Sequence, residues 1–485
     1  MIRKSTISLL AIALLAGCVA GPDYTGPPDI VSANPNGGFV RASSEVVGTA
    51  PQLAEWWLLL KDPELNRLVE AALANNPSLQ AAQARIAQAR ASVRQERAGR
   101  LPTLGTQATV VQGRLPGLDI QNTAPPSPGA PGPQGQGDNL SIYNVGLNAN
   151  WELDFAGGTQ RRIEVSNAQA AAAVANAEDA KVQLTAEVAN AYVSLRESQF
   201  RAKRTRVQIE LQQQILSLTY QQYQQGVLPL FPLGNANAEL ELLKSQLAEA
   251  EADTAVLLDA LAILEGKVPG TSDEALQKDF EVPLPPEQVA VGDPAGLVAR
   301  RPDIRGAERN LAAATAQIGV AEAARFPKLS FMGILGLGGT SLDDLLDVGS
   351  PSVLAIPQLQ WNFLDFGRID ASIEQAGSAR DEAVAKYRQT VLVALQDAER
   401  ALARFGQQRA ALAALAQIKL QADGAADLDR QRIAAGAISR TDLNRTLRKQ
   451  EQAATDLVRG KAALTMSWIA LQKSLGLGWQ APVAG

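Results

Sequence analysis

The 485-residue sequence carries a single thiol, and its setting assigns that thiol a chemistry. Cys18 follows Leu15-Ala16-Gly17, and small residues directly before a cysteine are what a lipoprotein signal peptidase requires. The thiol then takes a diacylglycerol, and the amine freed by cleavage is acylated. Upstream, Arg3 and Lys4 precede the apolar run from Ile7 to Ala16, which is too short to span a bilayer as a helix and reads as a secretory signal. The alternative is an ordinary signal peptide with an incidental cysteine near its cleavage site. Position 19 is Val rather than Asp, so the inner-membrane retention signal of such lipoproteins is missing.

The remaining reactive groups exclude more than they offer. With no His and one Cys, the chain has no imidazole acid/base pair, no His-containing triad, no Cys–His zinc cluster and no intrachain disulfide. Carboxylate hydrolase and carboxylate metal sites stay chemically open, yet no convergent acids mark one, so no catalytic and no metal residues are expected. The expected cofactor set is empty apart from the covalent N-acyl and S-diacylglycerol lipid on Cys18. Lys and Arg number 45 against 50 Asp and Glu, and the arginines are scattered, which disfavours nucleic acid as a partner.

The elements that must position these groups occur twice. Asn76-Pro77-Ser78-Leu79 matches Arg301-Pro302-Asp303-Ile304, and Leu101-Pro102-Thr103-Leu104 matches Phe326-Pro327-Lys328-Leu329, both at an offset of 225. Leu153-Asp154-Phe155 parallels Leu364-Asp365-Phe366 at an offset of 211, and Gln225-Gly226-Val227 parallels Ala435-Gly436-Ala437 at 210. The first copy is longer between Pro102 and Trp151, where it carries the Pro/Gly-rich run 125–137.

Within each copy the hydrophobic period changes in a fixed order. Val145, Leu147, Ala149, Trp151 and Leu153 alternate strictly with Asn144, Gly146, Asn148, Asn150 and Glu152, which is a strand pattern. Val353 to Phe363 repeats it with Leu359, Trp361 and Phe363 opposite Gln358, Gln360 and Asn362, and Thr103–Gly113 and Leu329–Gly338 supply weaker partner strands. Each strand is about the 9–11 residues that cross a bilayer when tilted, with aromatics at the end suited to an interface; a soluble hairpin with one buried face is the other reading. Each hairpin is followed by a Pro-free stretch of 69 residues, Gly157 to Gln225 and Gly367 to Ala435, roughly 100 Å long as a helix. Heptad stripes run through the long helices (Leu195, Ala202, Ile209, Leu216; Tyr387, Val391, Ala394, Ala398, Phe405) and their returning partners, and imply helix–helix cores.

The sequence therefore divides into a signal peptide, 1–17; a lipidated N-terminal linker, 18–60; a first repeat, 61–267, with strands near 103–113 and 142–155; a Pro-rich connector, 268–293; a second repeat, 294–476, with strands near 329–338 and 353–365; and a C-terminal tail, 477–485. Four membrane strands cannot close a barrel, and open edges in lipid leave backbone groups unsatisfied. A homotrimer supplies twelve strands. The expected fold is mixed α/β, mainly α: a duplicated helix–hairpin–helix unit forming a trimeric 12-stranded transmembrane β-barrel continued by a 12-helix periplasmic α-barrel.

Cys18-Val19-Ala20-Gly21-Pro22-Asp23-Tyr24, Trp56-Trp57 with Asp62-Pro63-Glu64-Leu65, Ala299-Arg300-Arg301-Pro302-Asp303-Ile304 with Ala307-Glu308, Ile318-Gly319 with Phe326-Pro327, and Phe363-Leu364-Asp365-Phe366-Gly367-Arg368 together resemble the NodT/OprM-like branch of the TolC outer-membrane efflux family. The resemblance spans essentially the whole mature chain. It implies a lipid-anchored homotrimeric channel with a small equatorial domain, in the outer membrane of a Gram-negative bacterium and extending into the periplasm. It also implies a periplasmic adaptor and an RND-type inner-membrane pump as partners, with drugs or other small molecules as cargo. The pump chooses the cargo and supplies the energy.

The resemblance also implies roles for the helix turns. Gly226-Val227-Leu228 and Gly436-Ala437-Ile438 match the tips that taper shut and meet the adaptor, and either glycine is also suited to a helix C-cap. Asp442 matches an aspartate that lines the constriction in relatives, where a ring of three favours cations; it equally suits the first turn of a helix capped by Ser439. Arg440, Asp427 and Arg430 are candidates for gate-locking ion pairs between neighbouring helices. The first copy departs from this pattern: Pro232 stands six residues after Gly226, inside Leu228-Pro229-Leu230-Phe231-Pro232-Leu233, so apolar packing is expected to close that tip. The rival reading is a non-pore periplasmic coiled-coil scaffold or adaptor lipoprotein, which needs only one hairpin.

Overall fold

Both halves of the sequence fold into the same series of elements. A computed structural model describes residues 19–30, 38–41, 46–47, 54–114, 139–277, 281–347, 349 and 351–479; the signal peptide, Cys18 and the run 125–137 lie outside the described residues. After a two-residue strand β1 (Val46–Val47), the first half gives α1 (Pro63–Asn75), α2 (Pro77–Ala98), β2 (Thr103–Arg114), β3 (Asn139–Leu153), α3 (Gly158–Gln224) and α4 (Leu230–Leu264). The connector contains α5 (Asp273–Leu276) and β4 (Val289–Ala290), which pairs in parallel with β1. The second half gives α6 (Pro294–Arg300), α7 (Pro302–Ala323), β5 (Lys328–Gly339), β6 (Pro351–Gln360), α8 (Arg368–Ala434) and α9 (Arg440–Ser474). The long helices have 67 residues in both copies and their returning partners 35.

The duplication extends to the residues that start and stop each element. Asp62 and Asp293, each followed by Pro at the first helical position, accept from the N–H groups of Glu64 and Leu65 and of Gly296. Trp151 Nε1 donates to Arg100 O at 2.9 Å, and Trp361 Nε1 donates to Arg325 O at 3.1 Å. Asp154 then accepts from Gln160 N, and Asp365 from Ile369 N, at the start of the long helix that follows. The backbone bonds hold the Asp365 carboxyl below the usual carboxylate range.

The chain divides into two compact units, one of Met1–Gly26, Gln88–Ala170 and Asn310–Ala383, the other of Pro27–Ala87, Ala171–Arg309 and Val384–Gly485. The first holds an antiparallel sheet in the order β2-β3-β5-β6, with Leu147 opposite both Thr106 and Leu335, and Leu335 opposite Val353. Two strand limits differ from the sequence expectation. β3 runs from Asn139 to Leu153 rather than 142–155, and β6 ends at Gln360 rather than near 365. The register gives the cause at β6: Gln360 pairs with Lys328, the first residue of β5, which follows Pro327, and beyond it Asp365 is already engaged in capping α8.

In the second unit Trp56 and Trp57 are buried, and the Trp56 ring meets Trp468 edge-on with centroids 5.4 Å apart, among Leu65, Leu195, Leu261 and Leu297. Tyr192 Oη donates to Asp62 Oδ2 at 2.7 Å inside this core, where burial raises the phenol's pKa. The expected linker 18–60 is therefore no simple linker, since its last residues form a buried 3-10 turn. The expected tail 477–485 also needs correction, because Leu477 and Trp479 are core residues. The connector is packed as well: Leu276 is buried and its carbonyl accepts from Arg196 Nη1 at 2.7 Å, while Thr465 donates to Pro283 O.

The seam along the outer part of α3 also departs from the heptad reading. Ile209 and Leu216 are only half-buried, and the side chains that are buried beyond Ala202 are Thr205, Gln208, Gln212, Ile215 and Thr219. They recur at steps of three and four, so the geometry is that of a helix seam, but its chemistry is mostly polar.

Candidate functional site

The sheet of the first unit presents one apolar face. Opposite residues on neighbouring strands share a face, which joins Leu104, Val145, Leu147, Trp151, Leu335, Val353 and Leu359 into one surface. All of these are exposed; Leu147 and Leu335, near mid-strand, retain 51% and 53% of their accessible surface. A water-soluble hairpin would bury this face. The other face is mixed: over β2 and β3 it carries Gln107, Asn144 and Asn148, over β5 and β6 it carries Met332, Ile334, Leu354 and Ile356 beside Gln358, and Gly146 and Gly336 stand opposite one another on it. A Cβ on Gly146 would come within 2.3 Å of Leu335 O and 2.4 Å of Gly336 Cα, so only glycine allows the strands to curl this closely on that side. The four strands have 10 to 15 residues, and the outer edges of β2 and β6 have no partner strand among the described residues. No described helix is long and apolar enough to cross a membrane.

The second unit contains both helix turns. Gly226 and Gly436 adopt φ of 72° and 69°. At the first, Gly226 N donates to Tyr223 O and Val227 N to Gln222 O; at the second, Gly436 N donates to Ile433 O and Ala437 N to Arg432 O. Both turns are Schellman caps. Beyond them the tips diverge in chemistry. Val227, Leu230 and Phe231 are exposed, Phe231 to 76%. A cavity of about 570 Å³ lies beside it, lined by Leu216, Tyr220, Leu230 and Leu233 with no charged side chain. At the second tip Ala437 is exposed, Ile438 half-buried, and Ser439 and Arg440 are exposed.

Asp442 forms a capping box with Ser439: its N–H donates to Ser439 Oγ at 3.1 Å, while the Ser439 hydroxyl donates to Asp442 Oδ2 at 2.6 Å. That hydroxyl bond, ahead of the smaller contribution of Arg445 3.4 Å away, holds the carboxyl below the usual carboxylate range. More than half of its side-chain surface stays exposed. Arg430 pairs with Asp427 at 2.6 Å, but both lie on α8 three residues apart, so this is not the ion pair between neighbouring helices that was expected. The link to α9 is neutral: Arg430 Nη2 donates to Gln450 Oε1 at 3.2 Å, and Gln450 Nε2 donates to Asp423 Oδ1 at 2.8 Å. Arg440 has no ion-pair partner among the described residues and lies exposed at the first position of α9.

The sequence did not single out Arg448, which ties α9 to both helices of the other hairpin. It donates to Gln212 of α3 and, through Nη2 at 3.0 Å, to Glu239 of α4, while Asn444 Nδ2 donates to Gln214 Oε1 at 3.0 Å. A stripe of apolar residues passes over Gln208, Gln212, Asn444 and Arg448; amides at the same spacing mark the first three, and Arg448 follows Asn444 at a step of four. Among the described residues no group of three acids is placed to hold a metal ion.

The family model described as "Outer membrane efflux protein" matches residues 68–267 and 295–477. The chain is 30% identical to outer membrane protein OprJ of Pseudomonas aeruginosa over 98% of its own length and 96% of that protein's. It is 28% identical to nodulation protein T of Rhizobium leguminosarum bv. trifolii over 97% and 96%. Among solved structures, the outer-membrane channel OprN superposes with a TM-score of 0.80 at 30% identity, covering 96% of this chain and all of that one.

Proposed function

The chain belongs to the outer membrane efflux protein family, and from that premise we propose that it is the outer-membrane channel of a tripartite efflux system, a passive conduit for small molecules delivered by an adaptor and an RND-type pump. One observation carries the reading: the bare apolar face of a sheet whose strands are long enough to cross a bilayer. The two open sheet edges favour a homotrimer, because in hydrocarbon each unpaired backbone group costs several kcal/mol. Three copies supply twelve strands for the barrel and twelve helical strands for a periplasmic tube, with the packed connector and flanking short helices as the equatorial domain.

In this reading Cys18 carries the acyl anchor, and Gly226-Val227-Leu228 and Gly436-Ala437-Ile438 meet the adaptor. The apolar first tip offers surface for that contact, while the second tip presents Asp442 and Arg440 to the passage. Lipid, adaptor and pump are the partners, and no chemistry is performed on the cargo. Detergent-resistant trimers and ion conductance in planar bilayers are the expected behaviour of the purified protein. A monomer without conductance would sink this proposal in favour of the coiled-coil scaffold.

A further inference from the structure

The motif Ala20-Gly21-Pro22-Asp23 is held in place by one side chain. Within the first unit, Arg161 is almost fully buried, with 4% of its side chain exposed, on the first turn of α3. Its Nε donates to Ala20 O at 2.9 Å, and its Nη2 donates to Gly21 O at 2.9 Å and to Asp23 Oδ1 at 2.8 Å. Nη1 donates to Glu164 Oε2 at 2.6 Å. Ala20 N in turn donates to Ala156 O at 2.9 Å. A buried guanidinium without acceptors is strongly unfavourable, and the N-terminal segment provides three of the four acceptors named here.

Close backbone approach selects the glycines around it. Gly21 has φ +83°, and a Cβ there would sit 2.4 Å from Gly319 Cα; a Cβ on Gly319 would meet Ala20 O at 2.6 Å, and one on Gly157 would meet Val19 Cα at 2.8 Å. Gly157 and Arg161 belong to the first repeat and Gly319, on α7, to the second. The segment thus lies between the start of α3 in the first copy and α7 of the second.

We propose that residues 19–23 form a strap and that Arg161 is its positioning residue, joining the two repeats and fixing where the N-terminal lipid leaves the protein. The lipid clause rests on the lipoprotein reading of Cys18; the clamp does not. Ala156, which receives Ala20, stands between the end of β3 and the start of α3. A lipid attached two residues before Ala20 is tethered by at most about 7 Å of chain. Its acyl chains therefore enter the bilayer beside the end of β3 that carries Trp151, and the anchor and the apolar sheet face are registered to the same membrane surface.

The test is proteinase K digestion of the full-length protein in detergent, where no bilayer holds the acyl chains, with mass spectrometry of the N-terminus. Arg161→Met and Gly21→Ala are each expected to speed cleavage within residues 19–30 at least tenfold with cleavage elsewhere unchanged, and Arg161→Lys to recover part of the protection. Gly21→Ala leaves every helix residue intact, so agreement between the two variants separates loss of the clamp from misfolding of α3. Equal protection of residues 19–30 in Arg161→Met and wild type overturns the proposal. The intact mass of the same sample reports acylation separately: its absence defeats the lipoprotein reading and leaves the clamp measurement standing.

Discussion

Leu147→Arg tests the assignment of the sheet's two faces. Leu147 lies four residues from Trp151 on β3, about 13 Å along a strand, and a tilt of about 40° reduces this to roughly 10 Å of depth. In an apolar band about 25 Å tall, with Trp151 at its rim, that depth is close to the midplane. An arginine there costs about 2–4 kcal/mol per chain, and the loss counts three times in a trimer. The control is Gln107→Arg, whose position lies opposite Gly146 on the other face and is expected to change stability by no more than about 0.5 kcal/mol. Both variants are reconstituted in vesicles and the folded fraction is followed by gel mobility without boiling across a urea series. Equal midpoints for the two, or a larger loss for Gln107→Arg, would refute the face assignment and with it the membrane reading.

Further outcomes follow from the turns and the buried acid. Asp442→Ala is expected to weaken cation preference in planar bilayers. Because the carboxyl is held below its usual range, wild-type preference should be flat from neutral pH down through the ordinary carboxylate pKa and fade only as pH falls through the lowered value. Gly226→Ala and Gly436→Ala should each cost about 1 kcal/mol from positive φ alone, since a Cβ meets nothing within 4 Å at either site, and asparagine should cost less; thermal melts check both. Burial alone would raise the Glu265 carboxyl, yet hydrogen bonds from Ser272 and Lys267 and the charge of Arg67 leave it below its usual value. Its contribution is therefore present above the unfolded carboxylate pKa and lost as pH falls through the folded one, so Glu265→Gln should be less stable at neutral pH and lose less on acidification, read from urea midpoints against pH.

The duplication was legible because its landmarks are residues with few substitutes: prolines that open helices, glycines that take positive φ, and a Leu-Asp-Phe whose aspartate caps the next helix. The faces of β3 were legible because a period of two has only two phases. Less was visible where tertiary contacts decide. Trp361 carries a strand-like pattern onward from Gln360, but the partner strand begins at Lys328, opposite Gln360, so the ladder stops there. Asp427 and Arg430 have opposite charges, and their spacing of three on one helix pairs them locally, so cross-helix locking does not follow from charge alone. Trp56 and Trp479 sit in segments that read as linker and tail, and only the shape of the core around Trp468 and Arg305 shows where their rings belong.

The polar seam has a mechanical consequence. Near Trp468, Leu471 and Leu261, parting the helices would expose apolar surface at about 25 cal/mol per Å², with nothing to compensate. Towards the turns, α9 is held to the other hairpin by Arg448, Asn444 and the Arg204–Glu451 pair, contacts that water can replace one at a time, each at a net of about 0.5–1.5 kcal/mol. Stiffness is thus graded along the helices: one part is welded, and the other is fastened by exchangeable stitches that can be undone singly and remade in another register.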